Sequence, residues 1–192
     1  MKVIGVTGGI GAGKTVVLSL LKQHFNAEVI LADVVAHELM KPGGKSYTGI
    51  VNEFGARILD HNRVIDKKIL SEIIFRDAEK RSRLNQLVHP LVKKEIIRRI
   101  AESKQELVVV EAALLIEDHY DEICDELWYI HASKEKRITR LIEDRGYSEA
   151  KCHSIMDSQL SEEEYRKHCN RVIDNDGSIE DVLKELKILL EK

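Results

Sequence analysis

The sequence predicts an α/β protein with a mostly five-stranded parallel sheet flanked by helices. Short apolar runs, typical of strands buried on both faces, alternate with helical patterns along the chain. A glycine-rich loop separates the first run from the first helix, an arrangement typical of phosphate-binding proteins. The 192 residues, 43% of them hydrophobic, suffice for one compact domain with a sizeable core.

Five strands are expected where apolar residues cluster without alternation. Such runs indicate strands covered on both faces, and the helical patterns between them supply the right-handed crossovers that parallel neighbours require. The expected strands are residues 3–6, 27–31, 106–111, 127–130 and 172–173.

Helices are expected where apolar residues recur at intervals of three and four. The first follows the glycine-rich loop and extends to Phe25. Asp66 is expected to cap a helix that ends at Phe75, and a long helix over 77–102 contains Pro90, where we expect a kink or boundary. Further helices are expected at residues 134–145, 148–158 and 179–190.

We expect a single domain over 1–192 with helical inserts in its core. Ligands of parallel α/β sheets bind beyond the carboxyl ends of the strands, so inserts attached at that edge are candidates for covering a site. The expected core is 1–33, 89–133 and 169–192, with a helical insert over 34–88 and a lid over 134–168.

Charge and cysteine content exclude several classes of protein. The formal net charge is −3, without the strongly basic balance of a nucleic-acid binder. No run approaches about 18 apolar residues, so we expect no membrane span. The cysteines, Cys124, Cys152 and Cys169, form no C-x-x-C pair, which disfavours a zinc site. We expect a cytoplasmic protein with free thiols, without nucleic-acid or membrane partners, as a monomer or weak homo-oligomer.

The glycine-rich loop carries the strongest functional signal. Residues 8–15, Gly-Gly-Ile-Gly-Ala-Gly-Lys-Thr, match the phosphate-loop pattern G-x-x-x-x-G-K-[ST]. Glycines let the backbone N–H groups point at a phosphate, and the next helix adds the positive end of its dipole. Lys14 is expected to reach the β- and γ-phosphates of ATP, and Thr15 to hold Mg²⁺. A dinucleotide-binding fingerprint fails, because Lys14 stands where its third glycine belongs. The fold is therefore expected to be of the three-layer P-loop NTPase type.

The remaining motifs favour a small-molecule kinase among phosphate-loop proteins. A GTPase would carry N-K-x-D for guanine, which is absent, and the one D-x-x-G match, residues 174–177, lies too near the C-terminus to serve. A motor or large ATPase needs more chain. Two alternatives stay open: a kinase of some other metabolite or nucleotide, and a non-catalytic nucleotide-binding switch.

Charged residues near the expected strand ends are candidates for kinase chemistry. Asp33 follows the second strand and can deprotonate an acceptor hydroxyl, or can cap a helix that begins at Val34. Glu111 ends the third strand, where it can meet Mg²⁺ or be a simple polar strand end. Three arginines after the fourth strand can clamp phosphates or form a solvated basic face: Arg137, Arg140 and Arg145.

Several segments, in the right order, resemble the dephospho-CoA kinase family. Residues 6–15 look like the opening of that family, and Ala32-Asp33 matches the end of its D-A-D segment. The other matching segments are Phe54-Gly55 with Ile58-Leu59, Leu84-Asn85 with His89-Pro90, Leu114-Leu115-Ile116-Glu117, Gln159, and Val172-Ile173-Asp174-Asn175.

The resemblance implies an enzyme that phosphorylates the ribose 3′-hydroxyl of dephospho-CoA, with ATP and Mg²⁺, to give CoA and ADP in the last step of CoA biosynthesis. It implies Asp33 as catalytic base, Lys14 and Arg140 as catalytic cations, and the 34–88 insert as acceptor pocket. The implied nucleotide contacts are Gly8, Gly9, Ile10, Gly11, Ala12, Gly13, Lys14, Thr15, Val16 and Asn175; the implied acceptor contacts are Asp33, His89, Leu115 and Glu117; the implied Mg²⁺ ligands are Thr15 and Glu111.

The chain departs from the family pattern most clearly in the lid. The family commonly shows Q-x-x-R-L-x-x-R-D, and here Arg140-Leu141 match while Lys136 or Arg137 occupies the region of the glutamine. Asp144-Arg145 appears with acid and base exchanged. Whether Arg137 and Arg145 contact phosphate is therefore left open.

Overall fold

A computed structural model of the chain describes residues 1–190. The chain forms two compact units, the first comprising Met1–Val29 and the chain from Ser103 onward, the second Ile30–Glu102. No helix within the described residues combines the length and the apolar character that crossing a bilayer requires.

The five-stranded parallel sheet that the sequence predicts is confirmed. The strands are β1 Lys2–Thr7, β2 Glu28–Leu31, β3 Leu107–Glu111, β4 Glu126–His131 and β5 Arg171–Asp174. Strand β1 pairs in parallel with β3 and with β4, and β4 pairs in parallel with β5, within the order β2-β3-β1-β4-β5. The register places Val6 opposite Glu111 and Thr7 opposite Tyr129, so these strands end at one edge.

The helices agree closely with expectation. Asp66 does cap its helix, since its side chain accepts hydrogen bonds from the N–H groups of Lys68 and Ile69. The long helix continues through Pro90 without ending. The helices are α1 Lys14–Phe25, α2 Ala32–Leu39, α3 Tyr47–Phe54, α4 Lys67–Arg76, α5 Ala78–Glu102, α6 Lys134–Arg145, α7 Glu149–Asp157, α8 Glu162–His168 and α9 Ile179–Leu190.

The predicted start of α2 is wrong. The helix begins at Ala32, not at Val34, and the residue before it, Leu31, occupies the capping position with an extended backbone. Asp33 therefore lies inside the first turn and is not the cap. Its negative charge still suits the positive end of the helix dipole.

The core of the first unit is a layer of apolar side chains on both faces of the sheet. Strand residues such as Ile4, Val109 and Trp128 are completely buried, as are Val17 on α1 and Val182 on α9. Burying one such side chain contributes about 1.5–3 kcal/mol, so the sheet forms a firm base for the loops at its edge.

The second unit packs around α5, with one polar exception in its buried stripe. Glu95 is 7% exposed, and its carboxylate accepts hydrogen bonds from Lys45 at 3.2 Å, Arg98 at 2.6 Å and Arg99 at 3.4 Å. Arg99 also pairs with Glu38 of α2. The bonds from Arg98 outweigh burial and lower the pKa of Glu95 to about 2. The cluster thus ties α2, α5 and the loop before α3 together.

The second unit is one continuous insertion into the first. The chain passes from one unit to the other between Val29 and Ile30 and again between Glu102 and Ser103. The flanking residues of the first unit lie side by side: Ser103 Oγ donates to Glu28, and Asn26 Nδ2 donates to Gln105 Oε1 at 2.9 Å.

We expect Glu95→Gln to lower the free energy of unfolding by about 2 kcal/mol at pH 7, because an amide accepts hydrogen bonds from cations more weakly than a carboxylate. The folded-state pKa of Glu95 lies below its ordinary value of 4.5, so its stabilisation is complete above that pH and is lost as the pH falls toward 2. Urea unfolding across this pH range should show the two stabilities converging on acidification.

The control is Glu79→Gln, an exposed position on the same helix, which should change stability by less than about 0.5 kcal/mol. A difference between wild type and Glu95→Gln that stays constant with pH would contradict the role given to the carboxylate.

Candidate nucleotide-binding site

The phosphate loop connects the end of β1 to the start of α1. Gly13, the capping residue of α1, has φ 85°, a left-handed conformation that favours glycine. A Cβ atom there would also lie 2.1 Å from Asn175 Nδ2. Both its conformation and its close neighbour therefore require glycine at this turn, which aims the first N–H groups of α1 into the loop.

Lys14 and Glu111 meet at the edge of the sheet, as expected from the strand register. Lys14 Nζ donates to Gly8 O at 2.8 Å and lies 3.7 Å from Glu111 Oε1. Thr15 is exposed in the first turn of α1. A hydroxyl and a carboxylate are the hard oxygen donors that Mg²⁺ prefers, so these residues fit the ion chemically.

Arg140 and Asn175 hold the second half of the loop through its carbonyl oxygens. Arg140 Nη1 donates to Gly11 O and Ala12 O, both at 3.2 Å, and Nη2 donates to Asn175 O at 2.8 Å. Asn175 is buried, and its Nδ2 donates to Ala12 O at 2.8 Å. Both residues thus contact the phosphate loop.

Arg137 and Gln159 hold the first half in the same way. Arg137 Nε donates to Ile10 O at 2.8 Å, and its Nη2 donates to Gln159 Oε1 at 3.1 Å. The same Gln159 oxygen accepts the Ile10 N–H at 3.0 Å. Sequence reasoning does not decide the role of Arg137 and predicts no site role for Gln159. The signal that points to Arg137 is its spacing from Arg140, three residues apart on one helix.

A polar cluster anchors α6, the helix that carries these arginines. His131 Nδ1 is 3.4 Å from Asp174 Oδ1, and its Nε2 is 3.5 Å from Glu162 Oε2. Asp176 Oδ1 accepts from both the N–H and the hydroxyl of Ser133, the residue before α6. Burial raises the pKa of Asp176, but the Ser133 bonds outweigh it and the net pKa is lowered. The start of α6 is therefore fixed relative to β4 and β5.

The remaining site candidates of the first unit differ in burial. Val16 is exposed on α1, and Glu117 is exposed after β3. Leu115 is fully buried, and its side chain packs beside Gly5 of β1. Arg145 is exposed at the last residue of α6.

Two predicted site residues belong to the second unit. Asp33 is exposed in the first turn of α2. His89 lines a shallow cavity of about 410 Å³ along one face of α5, together with Ala78, Arg81, Ser82, Asn85, Gln86 and Pro90.

Comparison with known proteins places the chain among kinases. A family model described as dephospho-CoA kinase matches residues 2–181. The dephospho-CoA kinase of Vibrio parahaemolyticus is 32% identical over 190 residues, covering 99% of this chain and 93% of the relative. That of Carboxydothermus hydrogenoformans is 34% identical over 195 residues, covering 100% and 94%. The solved structure of a dephospho-CoA kinase from Campylobacter jejuni superposes with a TM-score of 0.73 at 25% identity, covering 100% of this chain and 97% of that one.

We expect Gly13→Ala to weaken ATP binding by roughly tenfold or more, because a left-handed alanine is strained and its Cβ would displace the Asn175 amide. Titration calorimetry with ATP measures the effect. Gly43→Ala is the matched control, since Gly43 has φ 84° and open space around it. That control should lose about 1 kcal/mol of stability and keep its ATP affinity. Equal ATP affinity in the two variants would contradict the packing argument.

Proposed function

The chain belongs to the dephospho-CoA kinase family, and on that premise we propose that it transfers the γ-phosphoryl group of ATP to the ribose 3′-hydroxyl of dephospho-CoA. The observation that carries the proposal is the family match along nearly the whole chain, which includes a complete phosphate loop at residues 8–15. The cations around that loop support phosphoryl transfer as the chemistry.

The reaction forms a bond between the acceptor 3′-oxygen and the γ-phosphorus and breaks the bond from that phosphorus to the oxygen bridging to ADP. We assign Lys14 and Arg140 to the negative charge that develops on the phosphoryl and leaving oxygens. Both are already held at the loop by carbonyl oxygens, so little reorganisation is needed at the moment of transfer. We assign Asp33 as the base that takes the proton from the 3′-hydroxyl.

Mg²⁺ is part of the same proposal. Thr15 and Glu111 would hold it through a hydroxyl and a carboxylate oxygen. When bound, the ion neutralises charge on the β- and γ-phosphates. Glu111 also lies 3.7 Å from Lys14 Nζ, so this carboxylate orients the lysine whether or not it also meets the ion.

The second unit is our proposed source of acceptor contacts. Its cavity beside α5 offers Arg81, Asn85 and His89, whose N–H groups suit the phosphate and polar groups of a nucleotide-like acceptor. Glu117 and Leu115 stay proposed acceptor contacts from the first unit. Because the Leu115 side chain is buried, its proposed contact involves the backbone.

For the protein in the cell, we propose a cytoplasmic monomer or weak homo-oligomer. Within residues 1–190 no disulfide joins any of the three cysteines, which suits a reducing compartment. Size-exclusion chromatography with light scattering measures the oligomeric state directly.

We expect dephospho-CoA to stimulate ADP release from Mg·ATP, and AMP, gluconate and shikimate to leave it at the basal rate. A coupled ADP assay with the four acceptors side by side makes the comparison. Stimulation by one of the rivals would assign the kinase a different acceptor. No stimulation by any of them, with ATP binding intact, would favour a non-catalytic nucleotide switch.

We expect Asp33→Asn to lower kcat by about 10²–10⁴-fold, because the amide cannot accept the hydroxyl proton. ATP affinity should be unchanged. The matched control is Glu149→Gln, which also removes an exposed carboxylate from the first turn of a helix and should keep full activity. Near-normal turnover in Asp33→Asn would remove the base assignment.

A further inference from the structure

The contacts described above use only part of the hydrogen-bonding capacity of Arg137. A guanidinium carries five N–H groups, and Nε and one N–H of Nη2 are used on Ile10 O and Gln159 Oε1. Within residues 1–190, neither N–H of Nη1 finds an acceptor. The hydrogen bonds of Nε and Nη2 fix the orientation of the planar guanidinium, so the two Nη1 donors also point in a fixed direction.

The positive charge of Arg137 is likewise not matched by a carboxylate. Its two acceptors are a backbone carbonyl and a side-chain amide, and in the described part of the chain it forms no ion pair. The side chain is half-buried, where a charge without a counter-charge is costly. By contrast, Arg166 on α8 pairs with Glu162, and Arg98 on α5 pairs with Glu95. Arg137 is thus arranged to receive an anion.

The position of the guanidinium indicates which anion. A Cβ atom at Gly9 would lie 2.2 Å from Arg137 Nη2 and 2.7 Å from Cζ, so the group rests against the Gly9 backbone. The ammonium of Lys14 is bound to the carbonyl of the preceding residue, Gly8. The two cations thus contact the backbone of consecutive loop residues, Gly8 and Gly9. In a phosphate loop the lysine marks the β- and γ-phosphates.

We propose that Arg137 is a second phosphate-binding arginine, which donates from Nη1 to the γ-phosphoryl oxygens of ATP. Gln159 is its positioning residue, because one oxygen binds both the guanidinium and the Ile10 N–H. This proposal rests on the proposed function, of which it names one further contact. The competing role is purely structural: Arg137 would tie α6 to the loop and touch no nucleotide.

The two roles predict different changes in the affinities for ATP and ADP, because ADP lacks the γ-phosphoryl group. With a phosphate-binding role, Arg137→Met weakens ATP binding by roughly 10- to 100-fold, the size of one charge-assisted contact, and changes ADP affinity less than about threefold. With a structural role, ATP and ADP lose affinity to the same extent. Calorimetric titrations of both nucleotides with Mg²⁺ and no acceptor measure the ratio.

Two further variants make the result decisive. Arg137→Lys keeps the positive charge but not the planar guanidinium, and it should recover part of the preference for ATP over ADP. Such a recovery also shows that the loss in Arg137→Met does not come from misfolding. Arg145→Met removes an exposed arginine from the end of the same helix and should leave both affinities unchanged. Equal loss for ATP and ADP, or no loss of ATP affinity, would overturn the proposal. Since no acceptor is present, that outcome is independent of whether dephospho-CoA is the substrate.

Discussion

A phosphate loop commits most of its backbone N–H groups to the phosphate, so its carbonyl oxygens need donors from elsewhere. In this protein those donors are cationic and amide side chains, all but Lys14 from distant parts of the chain. Lys14 serves Gly8, Arg137 serves Ile10, and Arg140 serves Gly11 and Ala12. Satisfying the loop therefore brings positive charge to it before any nucleotide binds. One requirement of backbone hydrogen bonding thus produces both the shape and the electrostatics of the site.

The sheet beneath makes this arrangement possible. Parallel strands in register end at one edge, so β1 leads into the loop, β3 ends at Glu111, and β4 leads into α6, the helix that carries Arg137 and Arg140. The buried apolar side chains of the strands hold that edge in place, while Asp176 and Ser133 fix where α6 begins. The polar contacts that α6, Gln159 and Asn175 make with the loop span 127 to 163 residues of sequence and depend on this common base.

Local sequence patterns were sufficient to predict most of the secondary structure and the phosphate loop. Apolar runs located the five strands, the glycine pattern located the loop, and the spacing around Asp66 located a helix cap, because each depends on residues close together in the chain. Tertiary packing decided the rest. Glu95 lies in a charged stretch that is typical of a solvated helix face, and its burial depends on Lys45 from another element. Whether Arg137 is solvated or bound depends on its contacts with Ile10 and Gln159, which come together only in the folded chain. No local sequence pattern predicts these contacts. The start of α2 shifted because the backbone of Leu31, without a capping side chain, stays extended to that point.

The adjacency of Glu28 with Ser103 and of Asn26 with Gln105 has an evolutionary consequence. A segment that leaves and rejoins a fold at neighbouring points can be exchanged as a block, since any replacement needs only to span the same short gap. Recombination at these two junctions can therefore give the same nucleotide-binding loop a new 30–102 segment. No residue of the phosphate loop or of α6 needs to change. Such an exchange replaces the proposed acceptor contacts of the second unit and Asp33 together, while the nucleotide-binding loop stays the same.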